Sequence, residues 1–423
     1  MRPELTLPRP SGRAATAAPL ARALRTRCLK ALAALTHGHL TIEDPWGRTE
    51  LGERSAALRA KLTVHDASFY LAVAARGSVG AGEAYMDGLW SCDDLVALVR
   101  ILVLNRALLD GLEGGFARIG GWLLNAAHGL RRNTLAGSRR NIAAHYDLSN
   151  EFFALFLSPD LMYSSALWAG PDDTLARASE RKLARICEHL ELSARDHVLE
   201  IGTGWGGFAL YAAQRYGCRV TTTTISREQQ RLALERVRRA RLEEQVTVLF
   251  EDYRRLGGRY DKLVSIEMVE AIGAEYLPDY FAQLGRRLAP DGLALVQAIT
   301  IEDHRYAQAL RSVDFIKRHV FPGSFIPSIS ALLQAKTKAC ELALVHMEDF
   351  GHSYARTLEA WRLAFLAQRA AVRALGFDER FVRLWEYYLA YCEGGFRERS
   401  IGVAQLLFAA PGYRPAAARP GTA

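Results

Sequence analysis

From residue 177 onward, apolar positions recur in two alternating rhythms. A helical spacing over 178–191 gives way to a short apolar run, His197 to Ile201, and the pair then repeats as a helix over 208–216 and a strand over 219–224. A helix over 227–242 and strands over 246–250 and 262–266 follow. Strand and helix in regular alternation predict an α/β fold: a Rossmann-like, doubly wound parallel sheet with helices on both faces. The earlier part reads differently. From Leu51 to about Leu104, short apolar runs are broken by Gly and Asp, as in Arg76 to Trp90, which predicts a smaller, mostly helical domain with a tight glycine turn. Leu95 to Leu109 carries only Arg100 and Arg106 among aliphatic residues and reads as an amphipathic helix packed on that domain.

Residues 129–141 (GLRRNTLAGSRRN) are polar and hold Arg131, Arg132, Arg139 and Arg140, so they read as a basic linker. The expected organisation is a basic mobile arm (1–34), an N-terminal domain (35–128), the linker (129–141) and a catalytic domain (142–423). At 423 residues, with 50% hydrophobic and 24% charged positions, the chain can bury two cores and is globular. The net charge of +8 favours anionic partners, either phospholipid headgroups or nucleic acid. Base-stacking aromatics amid basic residues are missing from the sequence, so nucleic acid is not expected. Six scattered cysteines without C-x-x-C pairs imply free thiols in a reducing compartment, with no structural zinc and no metal site. No apolar run reaches the roughly 18 to 20 residues that span a bilayer, and the Pro-containing first 34 residues do not resemble a secretory signal. A cytoplasmic protein is expected.

The first strand runs into Val198-Leu199-Glu200-Ile201-Gly202-Thr203-Gly204-Trp205-Gly206-Gly207 and then a helix. Glycines there allow a sharp turn and close ligand approach, and the helix start offers free amides. The order E-x-G-x-G-x-G differs from the dinucleotide fingerprint G-x-G-x-x-G, and resembles motif I of class I S-adenosylmethionine-dependent methyltransferases. The second strand ends at Thr224 without the usual ribose-binding acid, leaving Gln229 and backbone groups to supply polar contacts.

Further motifs follow in order: GSVGAGEAYMDGLW, HYDLSNEFFALFLSPDLMYSSALW (His145 to Trp168), TTTTISREQQ, EDYRRL, EMVEAIGAEYLPDYF (Glu267 to Phe281), VFPGSFIPS and YYLAYCEGGF. From about Arg76 to Phe408 the chain resembles the cyclopropane fatty acyl phospholipid synthases and their mycolic acid relatives. The resemblance implies that S-adenosylmethionine is held by Tyr163, Ser164, Glu200, Gly202, Gly204, Gly206, Thr224, Ile225, Gln229, Tyr253 and Arg254. It implies transfer of a methylene or methyl group to the double bond of an unsaturated phospholipid acyl chain.

An isolated alkene is a weak nucleophile, so the site must stabilise a cation and supply a base. In the synthases the base is bicarbonate, held at positions that map to Ser165, Glu270, Gln297, Ile299 and Tyr354. The family usually has cysteine at 165 and histidine at 297, and commonly glycine where this chain has Glu267. Bicarbonate binding is therefore left open, and Glu267 or Glu270 is expected to take over part of the base function, against the plainer reading of Glu267 as a helix cap. A displaced base allows a methyl- or methylene-branched product in place of a ring.

The segment YYLAYCEGGF holds Cys392 where the synthases carry a cysteine regarded as an active-site thiol. With Glu393 as its nearest ionisable neighbour, a packed structural cysteine is the expectation. Delivery of an acyl chain implies peripheral docking on the inner face of the membrane through the linker and a lipid-associated N-terminal domain. A homodimer is left open. The rival readings are a methyltransferase acting on a small metabolite or nucleic acid, and a non-catalytic lipid-binding homologue.

Overall fold

The computed structural model describes residues 14–108 and 148–415, and the basic linker lies outside them. Two compact units divide the chain: residues 1–124 with 378–387, and residues 125–377 with 388–423.

The first unit opens with helix α1 (Ala14–Leu32), followed by strands β1 (His39–Asp44), β2 (Gly47–Gly52) and β3 (Arg59–Val64), helix α2 (Ser68–Met86), strand β4 (Trp90–Cys92) and helix α3 (Leu95–Leu104). The strands form a sheet in the order β2-β1-β3-β4, which the glycine-punctuated pattern did not reveal. Arg59 to Val64 does alternate polar and apolar residues, with Ala60, Leu62 and Val64 buried, so a strand signal was present there and was passed over. The expected glycine turn is a break inside α2, where Gly77 takes φ 54° and ψ −132°. Asp94 caps α3 by accepting from the Ala97 amide. The stretch expected to be a mobile arm is corrected over Ala14–Leu32. It forms a helix because Ala21 and Leu32 are buried and the Arg25 guanidinium donates to the Asp44 carboxylate, which also accepts from the Tyr70 hydroxyl at 2.6 Å. Residues 378–387 also join this unit, although the sequence pattern placed them with the catalytic domain. Arg383 is the reason: it donates to the Tyr85 and Trp90 carbonyls and lies over the Tyr85 ring.

The second unit contains, in order, α4 (Asn150–Ala154), α5 (Leu175–His189), β5 (His197–Ile201), α6 (Gly207–Tyr216), β6 (Arg219–Thr224), α7 (Arg227–Arg239), β7 (Val246–Phe250) and β8 (Tyr260–Ile266). After them come α8 (Leu277–Arg287), β9 (Leu288–Ile301), α9 (Asp303–Arg311), α10 (Phe315–His319), α11 (Ile329–Ala339) and β10 (Ala343–Asp349). The unit ends with α12 (Gly351–Ala367), α13 (Arg369–Ala374), α14 (Glu379–Arg397), whose first half belongs to the other unit, and β11 (Ile401–Ala409). Seven strands form one sheet in the order β10-β11-β9-β8-β5-β6-β7. Strands β5 to β9 pair in parallel, as the alternation predicts, and β11 enters antiparallel between β9 and β10. Apolar residues pack against both faces, around Leu263, Phe281 and Leu332 on one and around Ile186, Phe208 and Val220 on the other. The chain leaves β5 toward β6 on one side, with β8 on the other. Such a reversal opens a crevice at the carboxyl ends of the strands.

Candidate active site

The glycine loop leaves β5 at that crevice. Gly202, Gly204 and Gly206 all have positive φ, at 103°, 50° and 84°, where a side chain would be strained. At Gly207 the reason is space: a Cβ there would lie 2.5 Å from the Met162 sulfur and 2.9 Å from the Asp160 carbonyl. The amides of Gly202 and Thr203 donate to the Thr223 carbonyl, tying the turn to the end of β6. Arg236 holds it from outside by donating to the Trp205 and Asp160 carbonyls. At the end of β6, the Thr224 hydroxyl donates to Gln229 at 2.8 Å, and Ser226 caps α7 by accepting from the Gln229 amide. Gln229 is buried, so it is not a surface amide, and Ile225 beside it is half-buried.

Glu200 is buried with Oε2 lacking a hydrogen-bond partner, and burial pushes its carboxyl up to about 8. The Tyr253 hydroxyl, in a short turn after β7, is likewise buried without a partner. Its neighbour Arg254 is engaged by Asp252. Tyr163 joins Tyr388 through a 2.8 Å hydroxyl contact and stands among the rings of Phe153, Phe156, Phe321 and Trp361, with centroids 5.2 to 6.5 Å away. Glycine turn, buried acid, Gln229 and flanking rings together offer one end for an amino acid and another for a planar base. These residues fit S-adenosylmethionine.

A second cluster gathers around Glu267, the first residue after β8. Its carboxylate accepts from the Ser165 amide at 2.9 Å, from Gln297 Nε2 at 2.8 Å and from the Tyr354 hydroxyl at 2.8 Å. Ser165 follows α4 in a loop, Gln297 lies on β9 and Tyr354 on α12, so three distant segments converge on one side chain. Glu267 does not act as a helix cap. Its backbone is left-handed, φ 49°, a conformation that costs a non-glycine residue about 1–3 kcal/mol and is held here by the three donors. Gln297 is itself oriented by Gln405 on β11, which donates to its Oε1 at 3.0 Å. Glu270, one turn on, accepts from the Ile299 amide at 2.6 Å and leaves Oε2 buried without a partner.

The five positions mapped for bicarbonate thus lie together, but their donors are taken. Ser165, Gln297 and Tyr354 serve Glu267, and Ile299 serves Glu270. The Ser165 hydroxyl turns away to the Ala166 carbonyl. This donor set does not fit an additional bicarbonate ion.

Burial raises the Glu267 carboxyl above its ordinary value, opposed by its three donors and by the nearby Lys182 charge. Burial pushes Glu270 up to about 8, with the Glu267 charge adding to it. Among the described residues only backbone amides offset the burial of Glu270, whereas the Ser165 amide, Gln297 and Tyr354 all oppose that of Glu267. The Tyr354 hydroxyl is raised well above its ordinary value by burial and by Glu267, so it stays a donor.

Sequence reasoning missed Lys182. It is fully buried on α5 and donates to the Ser164 hydroxyl at 2.8 Å, and burial lowers its ammonium to about 8 against the charges of Glu267, Asp160 and Glu200. The signal was present: Lys182 shares the apolar face of α5 with Ala178, Leu183 and Ile186. Thr357 was missed too. It accepts from the Ala166 amide and the Trp168 indole, fixing the Ser165 segment on α12. Cys392 on α14 has its thiol pushed far up by burial, which suits packing rather than nucleophilic chemistry.

The sequence pattern of the mycolic acid cyclopropane synthetase family matches residues 134–406. The chain belongs to this family. Among its relatives, the tuberculostearic acid methyltransferase of Mycobacterium tuberculosis is 39% identical over 78% of each chain. The cyclopropane-fatty-acyl-phospholipid synthase of Escherichia coli is 35% identical over 82% of this chain and 87% of its own. A mycolic acid cyclopropane synthase crystallised with SAH and CTAB superposes with a TM-score of 0.60 at 29% identity, covering 64% of this chain and 98% of that one. Members of the family are S-adenosylmethionine-dependent lipid methyltransferases that include cyclopropane synthases, and this chain is a C-methyltransferase using that cofactor. No helix among the described residues is long and apolar enough to cross a membrane.

Proposed function

We propose that the enzyme transfers a one-carbon unit from S-adenosylmethionine to the double bond of an unsaturated phospholipid acyl chain, with Glu267 as the proton acceptor and a methylene-branched chain as product. The observation that carries this reading is the Glu267 carboxylate, fixed by Ser165, Gln297 and Tyr354 at the mapped base position. The names of the Escherichia coli and Mycobacterium tuberculosis relatives support the acyl substrate.

Tyr163, Ser164, Glu200, the loop Gly202 to Gly206, Thr224, Ile225, Gln229, Tyr253 and Arg254 would hold the cofactor. When bound, it supplies an electrophilic methyl group. The alkene's π electrons would form the new carbon–carbon bond as the methyl's bond to sulfur breaks and its electron pair stays on a neutral thioether. This leaves a cation on the neighbouring carbon that the faces of Tyr163, Phe153 and Trp361 would stabilise. A 1,2-hydride shift moves the cation to the carbon bearing the new methyl. Glu267 then takes a proton from that methyl, and the C–H electron pair becomes the carbon–carbon double bond of a methylene branch. If the proton leaves before the shift, the same electrons close a cyclopropane ring. Three hydrogen bonds fix the Glu267 carboxylate in place, and the order of hydride shift and proton removal decides between branch and ring. No step uses bicarbonate.

Purified enzyme with methyl-labelled cofactor and oleoyl phospholipid gives the test. Vinylidene proton signals are expected in the product, and cyclopropyl signals would overturn the branched assignment. The net charge of +8 supports transient docking on an anionic bilayer through Arg131, Arg132, Arg139 and Arg140. Replacing these four with Ser should weaken cosedimentation with anionic vesicles at low salt, and unchanged binding would refute that role.

A further inference from the structure

Away from the crevice, the last turn of α5 faces the edge strand β10. His189 of α5 and His346 and Glu348 of β10 bring two imidazoles and a carboxylate together, with one ligand atom from each lying within 4.8 Å of the others. His346 and Glu348 are two residues apart on the strand and so share a face. The His189 and His346 rings lie with centroids 4.6 Å apart. His189 Nε2 is buried without a hydrogen-bond partner, since the Glu348 carboxylate at 3.7 Å is too far to accept. A buried ring nitrogen left without a partner calls for a ligand.

We propose that His189, His346 and Glu348 form a binding site for a divalent transition-metal cation that clamps α5 to the sheet edge. Two imidazole nitrogens and one carboxylate oxygen suit zinc and its neighbours rather than calcium or magnesium, and leave a fourth position to water. Bonds of about 2.0–2.1 Å to a tetrahedral ion place ligand atoms roughly 3.3–3.4 Å apart. His346 is exposed, so a rotation of its side chain can close the remaining gap. Arg185 sets the affinity: its guanidinium donates to Glu348 at 2.8 and 3.0 Å and places a positive charge beside the ion.

The clamp has a structural purpose. β10 is exposed along most of its length, including Leu344, Val345 and Met347, and pairs on one side only. An ion would add a fixed link between this edge and the helix that carries Lys182. The expectation of no metal rested on cysteine spacing, and these three ligands are too scattered in sequence to form a spacing motif.

The test uses the full chain, purified without affinity histidines, stripped with chelator and titrated with zinc alone by calorimetry. One zinc per chain is expected, with a raised melting temperature at saturation and cobalt absorption of four-coordinate intensity. His346→Ala and Glu348→Gln should each weaken binding about tenfold or more, and Arg185→Gln should tighten it severalfold, with methyl transfer unchanged in all three. Absence of binding at about 100 µM zinc, or equal binding by the wild type and the His346/Glu348 double variant, overturns the site.

Discussion

The cofactor loop and the Glu267 cluster lie on the same crevice but are built in opposite ways. The loop is local: one strand, four glycines and one helix start within Val198 to Gly207 fix its course. The Glu267 cluster takes its hydrogen-bond donors from residues 165, 297 and 354, with Gln405 and Lys182 behind them. A local turn needs special residues in a fixed order. A convergent cluster needs only that the sheet fold correctly, and its members can be common residue types. Rearranging a base therefore takes fewer changes than rearranging a cofactor loop.

The sharpest way to break this contrast is Glu267→Gln. It should lower kcat by about 10²–10⁴-fold while cofactor affinity, measured by calorimetry, stays within about twofold. Loss of both together would show the two regions to be one. Glu267→Gly is the complementary variant: it frees the Ser165, Gln297 and Tyr354 donors, so added bicarbonate should recover part of its activity. Lys182→Met comes next. Removing the buried cation lets the Glu267 carboxyl rise further, so the acid limb of the kcat profile should move to higher pH; an unmoved limb would separate Lys182 from the base.

A smaller effect concerns stability. Glu270 is raised to about 8 in the folded chain and returns to its ordinary carboxylate value on unfolding, so the folded state holds the extra proton between roughly pH 5 and 8. Melting temperature should therefore fall as pH rises through that window, and Glu270→Gln should flatten the slope without abolishing it, because Glu200 behaves alike. The smallest effect is expected from Cys392→Ser, which should keep most activity, and a complete loss with an intact fold would contradict the packing role.

The same contrast explains what was legible in the chain. The parallel strands β5 to β8 and the helices between them followed from periodicity, because each buries one face of a regular element against the next. The first unit's sheet did not: β1 and β2 keep no two-residue rhythm of burial, and the alternation of Arg59 to Val64 stood alone. Within the site, the glycine turn announced itself by composition. Glu267 stood out as an acid at a position where the resembling family commonly carries glycine, yet its partners could be named only through that resemblance. Lys182 could have been found by its place on the apolar face of Leu175–His189, which the many charged residues of that helix make easy to pass over.

The left-handed backbone at Glu267 bears on how the proposed base could arise. Glycine adopts that conformation freely, and glycine and glutamate codons differ by a single base, so one nucleotide change in a glycine-bearing ancestor installs a carboxylate there. The new side chain would strain the turn on arrival, but donors already aimed at an external anion would receive it at once. If Glu267 is the proton acceptor proposed above, a single mutational step would exchange an acceptor taken from solution for one carried by the chain.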